Sequence, residues 1–265
     1  MLLKAVKMAR STFYYYLKQL DKEDKHSILT SKVIAIYHKH KGRYGYRRIT
    51  KTLKQTGLIV NHKTVLRIMH VCGIKSLVRI KRYKSYRGQQ GKIARNLLKR
   101  NFKARKPYKK WVTDVTEFSV GGKKLYLSPI MDLYNGEIIS YNLSERPVFS
   151  QITDMLTKAF KKLPTNAKPI LHSDQGWQYQ MKQYQAVLRG KKIKQSMSRK
   201  GNCLDNAVME SFFGIIKSEL FYLEKFNSIQ SLKRGITKYI NYYNNDRIKL
   251  KLNGLSPVKY RTQAA

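Results

Sequence analysis

Three carboxylates stand out because each lies on an element where a charge is costly without a partner. Asp114 falls inside the apolar run "WVTDVTEF", where a buried strand is expected, and Asp174 follows the apolar residues of a second strand in "LHSDQGWQY". Glu210 lies within the apolar helical segment "AVMESFFGII". A buried carboxylate is expensive unless it is paired or binds a cation. These residues therefore predict a site for hard divalent cations, provided that the fold brings them together.

The second half of the chain supplies the elements that must position these carboxylates. From residue 111 onward, short β-rich runs separated by "GG" and "YNGE" turns predict a three-stranded meander. Helical segments at 149–163 and 179–189 then alternate with strands at "KPILHSD" and "KKIKQSM", before a helix from about residue 205 to 220. This order predicts an α/β domain with a mixed sheet and helices on its faces.

The first part of the chain has a different pattern, that of a small all-α module over residues 1–74. Helices are expected at 11–20, at 27–40, and on both sides of Gly57, where Asn61 can cap the second of the pair. This is helix-turn-helix spacing, although an ordinary three-helix bundle with a solvated basic face remains the alternative. The basic side chains expected to contact DNA are Arg47, Arg48, Lys63 and Arg67.

Residues 75–108 form the predicted link between the two parts, and the catalytic part is expected to span 109–265. The linking segment is almost uniformly basic, with interleaved aromatic residues and a "GQQG" sequence at 88–91. We expect a linker that follows the DNA backbone and has no fold of its own. The alternative is a tether that is merely solvated.

Net charge indicates the partner. The chain carries 55 Lys and Arg against 15 Asp and Glu, a formal charge of +40, of which +28 lies in residues 1–110. A charge of this size repels itself unless a polyanion neutralises it, so we expect double-stranded DNA as the partner. Charge alone leaves a ribosomal or nucleoid-packing protein equally open.

Targeting signals and long apolar runs are missing from the sequence. The basic start "MLLKAVKMARS" lacks the apolar core of a signal peptide, and no run of about 18 apolar residues occurs. We therefore expect a cytoplasmic, nucleoid-associated protein that does not enter the membrane.

Spacing connects the three carboxylates to a known family. Between Asp114 and Asp174 lie 59 residues, and between Asp174 and Glu210 lie 35. The sequence resembles the DDE transposases and retroviral integrases, and more narrowly the downstream-frame (Orf B) part of transposases of the IS3 family of bacterial insertion sequences. The matching blocks, in the family's order, are "YGYRRI" at 44–49, "RNLLKRNF" at 95–102, "WVTDVTEF" at 111–118, "LHSDQGWQY" at 171–179, "GNCLDNAVMESFFGIIKSEL" at 201–220 and "YINYYNNDRIKLKLNGLSPVKY" at 239–260.

The resemblance implies an RNase H-like five-stranded mixed sheet and a catalytic triad of Asp114, Asp174 and Glu210. In that family the triad binds two Mg²⁺ or Mn²⁺ ions per active site. One ion activates the attacking oxygen and the other stabilises the leaving oxygen of an in-line displacement at phosphorus. One departure is visible, since relatives read Arg-Pro-His where this chain has Arg247, Ile248 and Lys249, so we assign that segment no catalytic part.

Lesser roles follow from position around the triad. Lys217 and Asn206 share the helix face of Glu210, so Lys217 is a candidate for a DNA phosphate contact, unless it is only a solvated helix charge. Asn206 and His172 are candidates to support the metal ligands, although His172 fits a satisfied strand-end histidine better. Asp132 is a further strand carboxylate that could belong to the metal site or to a turn.

Glu117 is expected to be structural, because it lies three residues after Asp114 and should point to the opposite face of the sheet.

The leading hypothesis is an enzyme that nicks and joins DNA strands at insertion-sequence ends, mediating transposition and integration. Joining two element ends requires at least two protomers, so we expect a homo-oligomer on DNA that also engages the target duplex. In the family an upstream-frame product, fused or bound, often supplies further segments. An RNase H-like nuclease, which never joins strands, and a non-catalytic regulator that binds element ends remain alternatives.

Overall fold

Four helices build the N-terminal part of the chain, as far as the structure describes it. The computed structural model describes residues 8–20, 27–77, 93–199 and 203–263. It separates into two compact units, Met1–Ser76 and Leu77–Ala265, which we describe one by one. The helices of the first unit are α1 (Arg10–Leu20), α2 (Ser27–Lys39), α3 (Tyr46–Gln55) and α4 (His62–Val71).

Helices α2, α3 and α4 pack around a small core. Ile49 and Leu53 from α3 meet Val65 and Ile68 from α4, and all four are buried. The predicted cap at the start of α4 is present, because the side chain of Asn61 accepts a hydrogen bond of 2.9 Å from the backbone N–H of Lys63. The cap fixes where α4 begins and thereby which of its side chains face outward.

A mixed sheet organises the second unit. Its strands β1 and β5 are parallel neighbours, β6 continues parallel beyond β5, and β3 runs antiparallel to β1 with β4 on its other edge. This confirms the mixed sheet of the predicted α/β class. The strands are β1 (Lys110–Thr113), β2 (Thr116–Val120), β3 (Lys123–Asp132), β4 (Ile138–Ser144), β5 (Ile170–Ser173) and β6 (Lys194–Met197).

The six strands occupy five positions, as the RNase H-like prediction requires. Thr113 pairs with Ile130 and Thr116 pairs with Leu127, so β1 and β2 lie on one edge of β3 in a single unbroken register. Strands β1 and β2 therefore occupy one strand position in the sheet, and the strand is interrupted at residues 114 and 115. The sequence prediction had a single strand here and did not anticipate the interruption.

Pro129 explains the interruption. The shared register places Pro129 of β3 opposite Asp114, and proline has no N–H to donate to the neighbouring strand. The ladder therefore breaks at Asp114, and its carboxylate accepts the N–H of Val115 at 2.7 Å.

Helices cover both faces of the sheet. On one face Val112, Leu127 and Met131 pack against α8 and α9, and on the other Trp111, Ile130 and Leu171 pack against α5 and α7. The helices of this unit are α5 (Phe149–Lys161), α6 (Trp177–Gln180), α7 (Lys182–Gly190), α8 (Ala207–Ile216), α9 (Ile229–Asn245) and α10 (Pro257–Gln263).

The helix predicted over 205–220 consists of a 3₁₀ segment, an α-helix and a π-helical segment in succession. A 3₁₀ turn at Cys203–Asn206 precedes α8, and a π-helical turn at Lys217–Phe221 follows it. A buried ion pair closes this end, because Arg247 donates to both carboxylate oxygens of Glu219 at 2.6 and 2.8 Å. Arg247, in the segment that departs from the family pattern, thus holds the helix end in place.

The predicted linker is only partly a tether. Residues 78–92, including its "GQQG" sequence, lie outside the described residues, but 93–108 belong to the second unit and pack on it. Leu98 is buried in the sheet's core, and the backbone N–H of Leu97 donates to Ser196 Oγ at 2.9 Å. The expectation of an unfolded linker is wrong for this stretch, because the buried Leu98 side chain and the backbone hydrogen bonds of Ala94 and Leu97 hold it on the second unit.

None of the helices described is both long enough and apolar enough to cross a bilayer.

Candidate active site

Asp114 and Asp174 come together at one edge of the sheet. In the parallel pair of β1 and β5, Val112 stands beside His172, so the register continued by two residues places Asp114 beside Asp174. Both residues follow the carboxyl ends of their strands, which is where open α/β sheets bind ligands. The predicted convergence of these two carboxylates is what the strand pairing produces.

The Asp114 side chain is half-buried, and its hydrogen-bond donor among the described residues is the N–H of Val115. Burial raises its pKa well above the ordinary range, and the charges of Asp174 and Glu210 raise it further. Only the hydrogen bond from the Val115 N–H lowers it. A carboxylate in this position is stabilised in its charged form by a cation and by little else nearby.

Asp174 is held by the tight turn that follows β5. The N–H of Gly176 donates to its Oδ1 at 2.9 Å, which lowers the pKa of Asp174, while burial raises it by more. A Cβ at position 176 would lie 3.0 Å from that same oxygen and 2.6 Å from the Gln178 amide. A side chain at position 176 would therefore crowd the Asp174 carboxylate and displace the Gln178 amide.

Glu210 lies in the first turn of α8, on the face of the sheet that carries Asp114. Its side chain is half-buried, and burial raises its pKa. Among the residues described, no three His, Cys, Asp or Glu side chains stand close enough together to enclose a metal ion as they are. Asp114 and Asp174 thus form a fixed pair, and Glu210 approaches them from a separate helix.

Tyr179 and Tyr184 lie beside the carboxylates, and sequence analysis did not single them out. The Tyr179 hydroxyl lies 3.5 Å from Thr113 Oγ1. Burial raises the pKa of Tyr179 well above its ordinary value, and the charges of Asp114 and Asp174 raise it further. Only their sequence proximity to Asp174 could have indicated that these rings form the floor of the site.

His172 and Asn206 differ in how their polar atoms are satisfied. The His172 ring is buried, with Nδ1 2.8 Å from Ser196 Oγ and Nε2 2.8 Å from the carbonyl oxygen of Asp205. Neither contact is with a triad carboxylate. The Asn206 side chain is also buried, but both its amide atoms lack a hydrogen-bond partner within the described chain.

Lys217 is half-buried at the far end of α8. Its ammonium lies 5.5 Å from the centre of the Phe118 ring, a cation–π contact. Burial lowers its pKa, and the charge of Glu117 partly opposes this effect. Lys217 is therefore not a freely solvated helix charge.

Asp132 lies away from the site and has a structural role. It pairs with Trp111 at the start of β1, the opposite end of that strand from Asp114. The N–H groups of Tyr108 and Tyr134 donate to its carboxylate at 2.8 and 2.9 Å, and Arg261 lies 3.5 Å away. Of the alternatives left open for Asp132, its position excludes the metal site, because antiparallel β3 carries it to the other edge of the sheet.

Glu117 is exposed on β2, where it pairs with Lys124 at 3.2 Å.

The predicted DNA contacts of the first unit lie on its surface to different degrees. Arg47, Lys63 and Arg67 are exposed. Arg48 is half-buried, with its guanidinium 5.4 Å from the centre of the Tyr44 ring. Three of the four side chains are thus accessible to phosphate.

Family models match most of the chain. The integrase core domain matches residues 104–203 in one model and 210–264 in a second, and an HTH-like domain matches residues 23–82. The first match contains Asp114 and Asp174, and the second begins at Glu210.

Transposases of several insertion sequences match this chain over most of its length. The putative transposase InsK of insertion sequence IS150 from Escherichia coli is 57% identical and covers 99% of this chain and 93% of its own length. The transposase of IS904 from Lactococcus lactis is 38% identical, over 87% of this chain and 92% of its own. InsF of IS3A from Escherichia coli is 34% identical, over 88% and 82%.

Proposed function

The chain belongs to the transposases of IS3-family insertion sequences, and we propose that Asp114, Asp174 and Glu210 are the residues with which it cuts and joins DNA. It is a DDE transposase, an enzyme of the integrase-core class. The observation that supports the triad is the parallel register of β1 and β5, which brings Asp114 and Asp174 to adjacent strand ends.

Two divalent cations, Mg²⁺ or Mn²⁺, fit the donor set of this site. The carboxylates of Asp114 and Asp174 lie half-buried beside each other with one backbone N–H donated to each, so their remaining oxygens are open to hard cations. When bound, such ions lower the pKa of an attacking oxygen and offset charge on the leaving one. Glu210 would complete the ligand set from α8.

The main contribution of the protein's own residues is to fix the positions of the metal-binding carboxylates. The strand ends fix Asp114 and Asp174, and the Gly176 turn sets the orientation of the Asp174 carboxylate. A DNA phosphate held in line beside these residues is attacked by water, which nicks the strand, or by a DNA 3′-hydroxyl, which joins two strands. The same site serves both steps, so no covalent enzyme intermediate is needed.

Asn206 and Lys217 are the proposed supporting groups. The buried Asn206 amide, one helical turn before Glu210, has donor and acceptor atoms ready for a group that enters with DNA or metal. Lys217 lies two turns after Glu210, where its ammonium is suited to a phosphate near the cut. His172 supports the site indirectly, through the turn that precedes Glu210.

DNA contact is the proposed role of the first unit. Arg47, Lys63 and Arg67 neutralise phosphates or read base edges of the element end, and Arg48 supports them from beside Tyr44. Two element ends and a target duplex call for at least two copies of the chain on DNA. An upstream-frame product, fused or bound, is a further proposed partner.

The test is a joining assay on labelled oligonucleotide duplexes that carry the element's ends. With Mg²⁺, the wild type should give both nicked and joined strands, and Glu210→Gln should give neither. Glu145→Gln is the matched control, because it alters an exposed carboxylate that pairs with Lys233 at the surface. Nicking without joining would instead support a nuclease, and tight binding without either product a regulator.

A further inference from the structure

Asp205 makes an extensive set of charged contacts near the site, and it is not one of the proposed metal ligands. Its side chain is fully buried and accepts hydrogen bonds from Asn96 Nδ2 at 3.0 Å and from Arg100 Nε at 3.0 Å. Arg199 contributes its backbone N–H and its guanidinium, at 3.0 to 3.2 Å. Arg199 and Arg100 lower the pKa of Asp205, so the carboxylate is charged at every physiological pH.

The partners of Asp205 come from segments far apart in the chain. Asn96 and Arg100 belong to the packed part of the linker, whereas Arg199 follows β6. Lys99 and Arg100 both have left-handed backbone conformations, with φ of 46° and 63°. Such a conformation is unfavourable for residues other than glycine. Two in succession indicate that the contact between Arg100 and Asp205 holds this bend in place.

A second route connects the linker to the same turn through the backbone. The Leu97 N–H donates to Ser196 Oγ. The carbonyl of Asp205 can only accept, so His172 Nε2–H donates to it, and Nδ1 of the neutral ring accepts from the Ser196 hydroxyl. The relay passes through β5, two residues before Asp174.

The turn that receives both connections leads directly into the catalytic helix. Asp205 and Asn206 end the 3₁₀ turn, α8 starts at Ala207, and Glu210 follows in its first turn. No side chain caps the start of α8, so the position of the helix depends on what holds the preceding turn. Among the described residues, Asp205 supplies the charged contacts that do so.

We infer that Asp205 is a positioning residue through which Asn96 and Arg100 of the linker set where Glu210 stands relative to Asp114 and Asp174. This rests on the proposed function only in taking Glu210 as a metal ligand. The linker is then a structural part of the catalytic site, and a chain that lacks residues 93–100 would retain the sheet but lose the placement of Glu210.

The experiment compares Arg100→Ala and Asn96→Ala with Arg105→Ala in the full chain. Arg105 is an exposed arginine of the same linker, so the control removes the same charge without touching Asp205. Two readouts are taken: hydrogen exchange of the backbone at 205–212, and the Mn²⁺ concentration that half-saturates the thermal stabilisation of the protein. Arg100→Ala leaves Arg199 in place, so it should remain folded, and circular dichroism verifies this.

The expected result is faster exchange at 205–212 and a half-saturating Mn²⁺ concentration about 10-fold higher in Arg100→Ala, the scale at which supporting residues affect metal affinity. Asn96→Ala should shift both in the same direction, Arg100→Lys should partly restore them, and Arg105→Ala should match the wild type. Unchanged exchange at 205–212 in folded Arg100→Ala would overturn the inference. If the wild type binds no Mn²⁺, the proposed function fails, and the exchange comparison still decides the role of Asp205.

Discussion

Asp114 shows at the scale of one residue how a site can be unfavourable until its ligand arrives. It lies half-buried beside a second carboxylate, and within the described part of the chain its hydrogen bond comes from its own neighbour in sequence. Buried carboxylates normally neutralise or find a cationic partner. Retaining this pair costs stability, and the cost is explained if divalent cations are bound there during catalysis.

The stability of the metal-free protein should therefore improve when Asp114 is changed to Asn. The pKa of Asp114 is raised in the folded state, so the stability associated with its neutral form is full below its ordinary pKa of 3.8 and is lost as pH rises through the raised value. In a chelating buffer at pH 8, Asp114→Asn should have a higher melting temperature than the wild type, and the gap should close towards pH 4. Asp154→Asn, at a surface helix position, should show no such gap, and a lower melting temperature for Asp114→Asn at pH 8 would contradict the account.

Asn206 carries a second prediction at this scale. If its unpartnered amide serves a group that enters during reaction, Asn206→Ala should slow joining by about 10- to 100-fold while DNA affinity stays unchanged. Stability should change by less than about 1 kcal/mol, because relief of the desolvation cost of an unsatisfied buried amide offsets the small cavity that alanine leaves. The control is Asn142→Ala, which removes an exposed amide on β4. A wild-type joining rate in Asn206→Ala would assign the residue to packing alone.

Individual site residues could be predicted from the sequence where a charged side chain lies in an apolar strand or helix. Asp114, Asp174 and Glu210 could be selected from the sequence because a carboxylate in an apolar strand or helix calls for a reason. Asp205 and Tyr179 could not, since each lies in a polar or mixed segment and gains its role only from contacts made across the fold. Asp132 was open to a wrong interpretation because sequence does not show at which edge of the sheet a strand residue ends.

At the scale of elements, the position of the C-terminal end of α8 depends on the Glu219–Arg247 ion pair. Both side chains are almost fully buried, and the Tyr239 hydroxyl donates a third hydrogen bond to Glu219 at 2.9 Å. Breaking a buried pair leaves one charge without compensation. This couples α9 and the segment after it to the π-helical turn that follows α8.

Arg247→Met should thus lower the free energy of unfolding by about 3 to 5 kcal/mol, as measured by urea denaturation. Lys233→Met breaks the exposed pair with Glu145 and should cost no more than about 1 kcal/mol. A loss below about 1 kcal/mol in Arg247→Met would show that methionine packs as well as the ion pair and that the pair does not fix the helix end.

The sequence predicted which helices and strands form better than it predicted where they are interrupted and how they end. Hydrophobic periodicity predicted α3, α4, α5 and the strands of the sheet, and Asn61 correctly marked the start of α4. The break between β1 and β2 depends on Pro129 facing Asp114 across strands, which is a matter of register and not of local pattern. The 3₁₀ and π-helical turns around α8 likewise arise from tertiary contacts.

At the scale of the whole molecule, charge distribution governs DNA binding. The surplus of +28 in residues 1–110 predicts that affinity for duplex DNA falls steeply with salt. Arg67→Ala should lower affinity and make the log-log salt slope less steep by about 1, measured by fluorescence anisotropy between 50 and 200 mM salt. Lys32→Ala removes an exposed lysine of α2 and should leave the slope unchanged. Equal slopes for wild type and Arg67→Ala would remove α4 from the phosphate interface.

The division into a helical DNA-binding part and a catalytic part was accessible from composition, because acidic residues are almost absent before residue 111. The packing of 93–108 on the second unit was not accessible, because a basic sequence does not show that Leu98 enters the core or that the Leu97 N–H donates to Ser196. Where the linker ends and the catalytic unit begins is set by those contacts.

The most direct test of the central claim is metal rescue of Asp114→Cys in the joining assay. If Asp114 binds the catalytic cation, the variant should be inactive with Mg²⁺, because a thiolate is a poor ligand for that ion, and joining should reappear with the softer Mn²⁺. Asp154→Cys serves as the control and should join with either ion. Joining by Asp114→Cys at the wild-type rate in Mg²⁺ would contradict the account, because the cation would then be bound without Asp114.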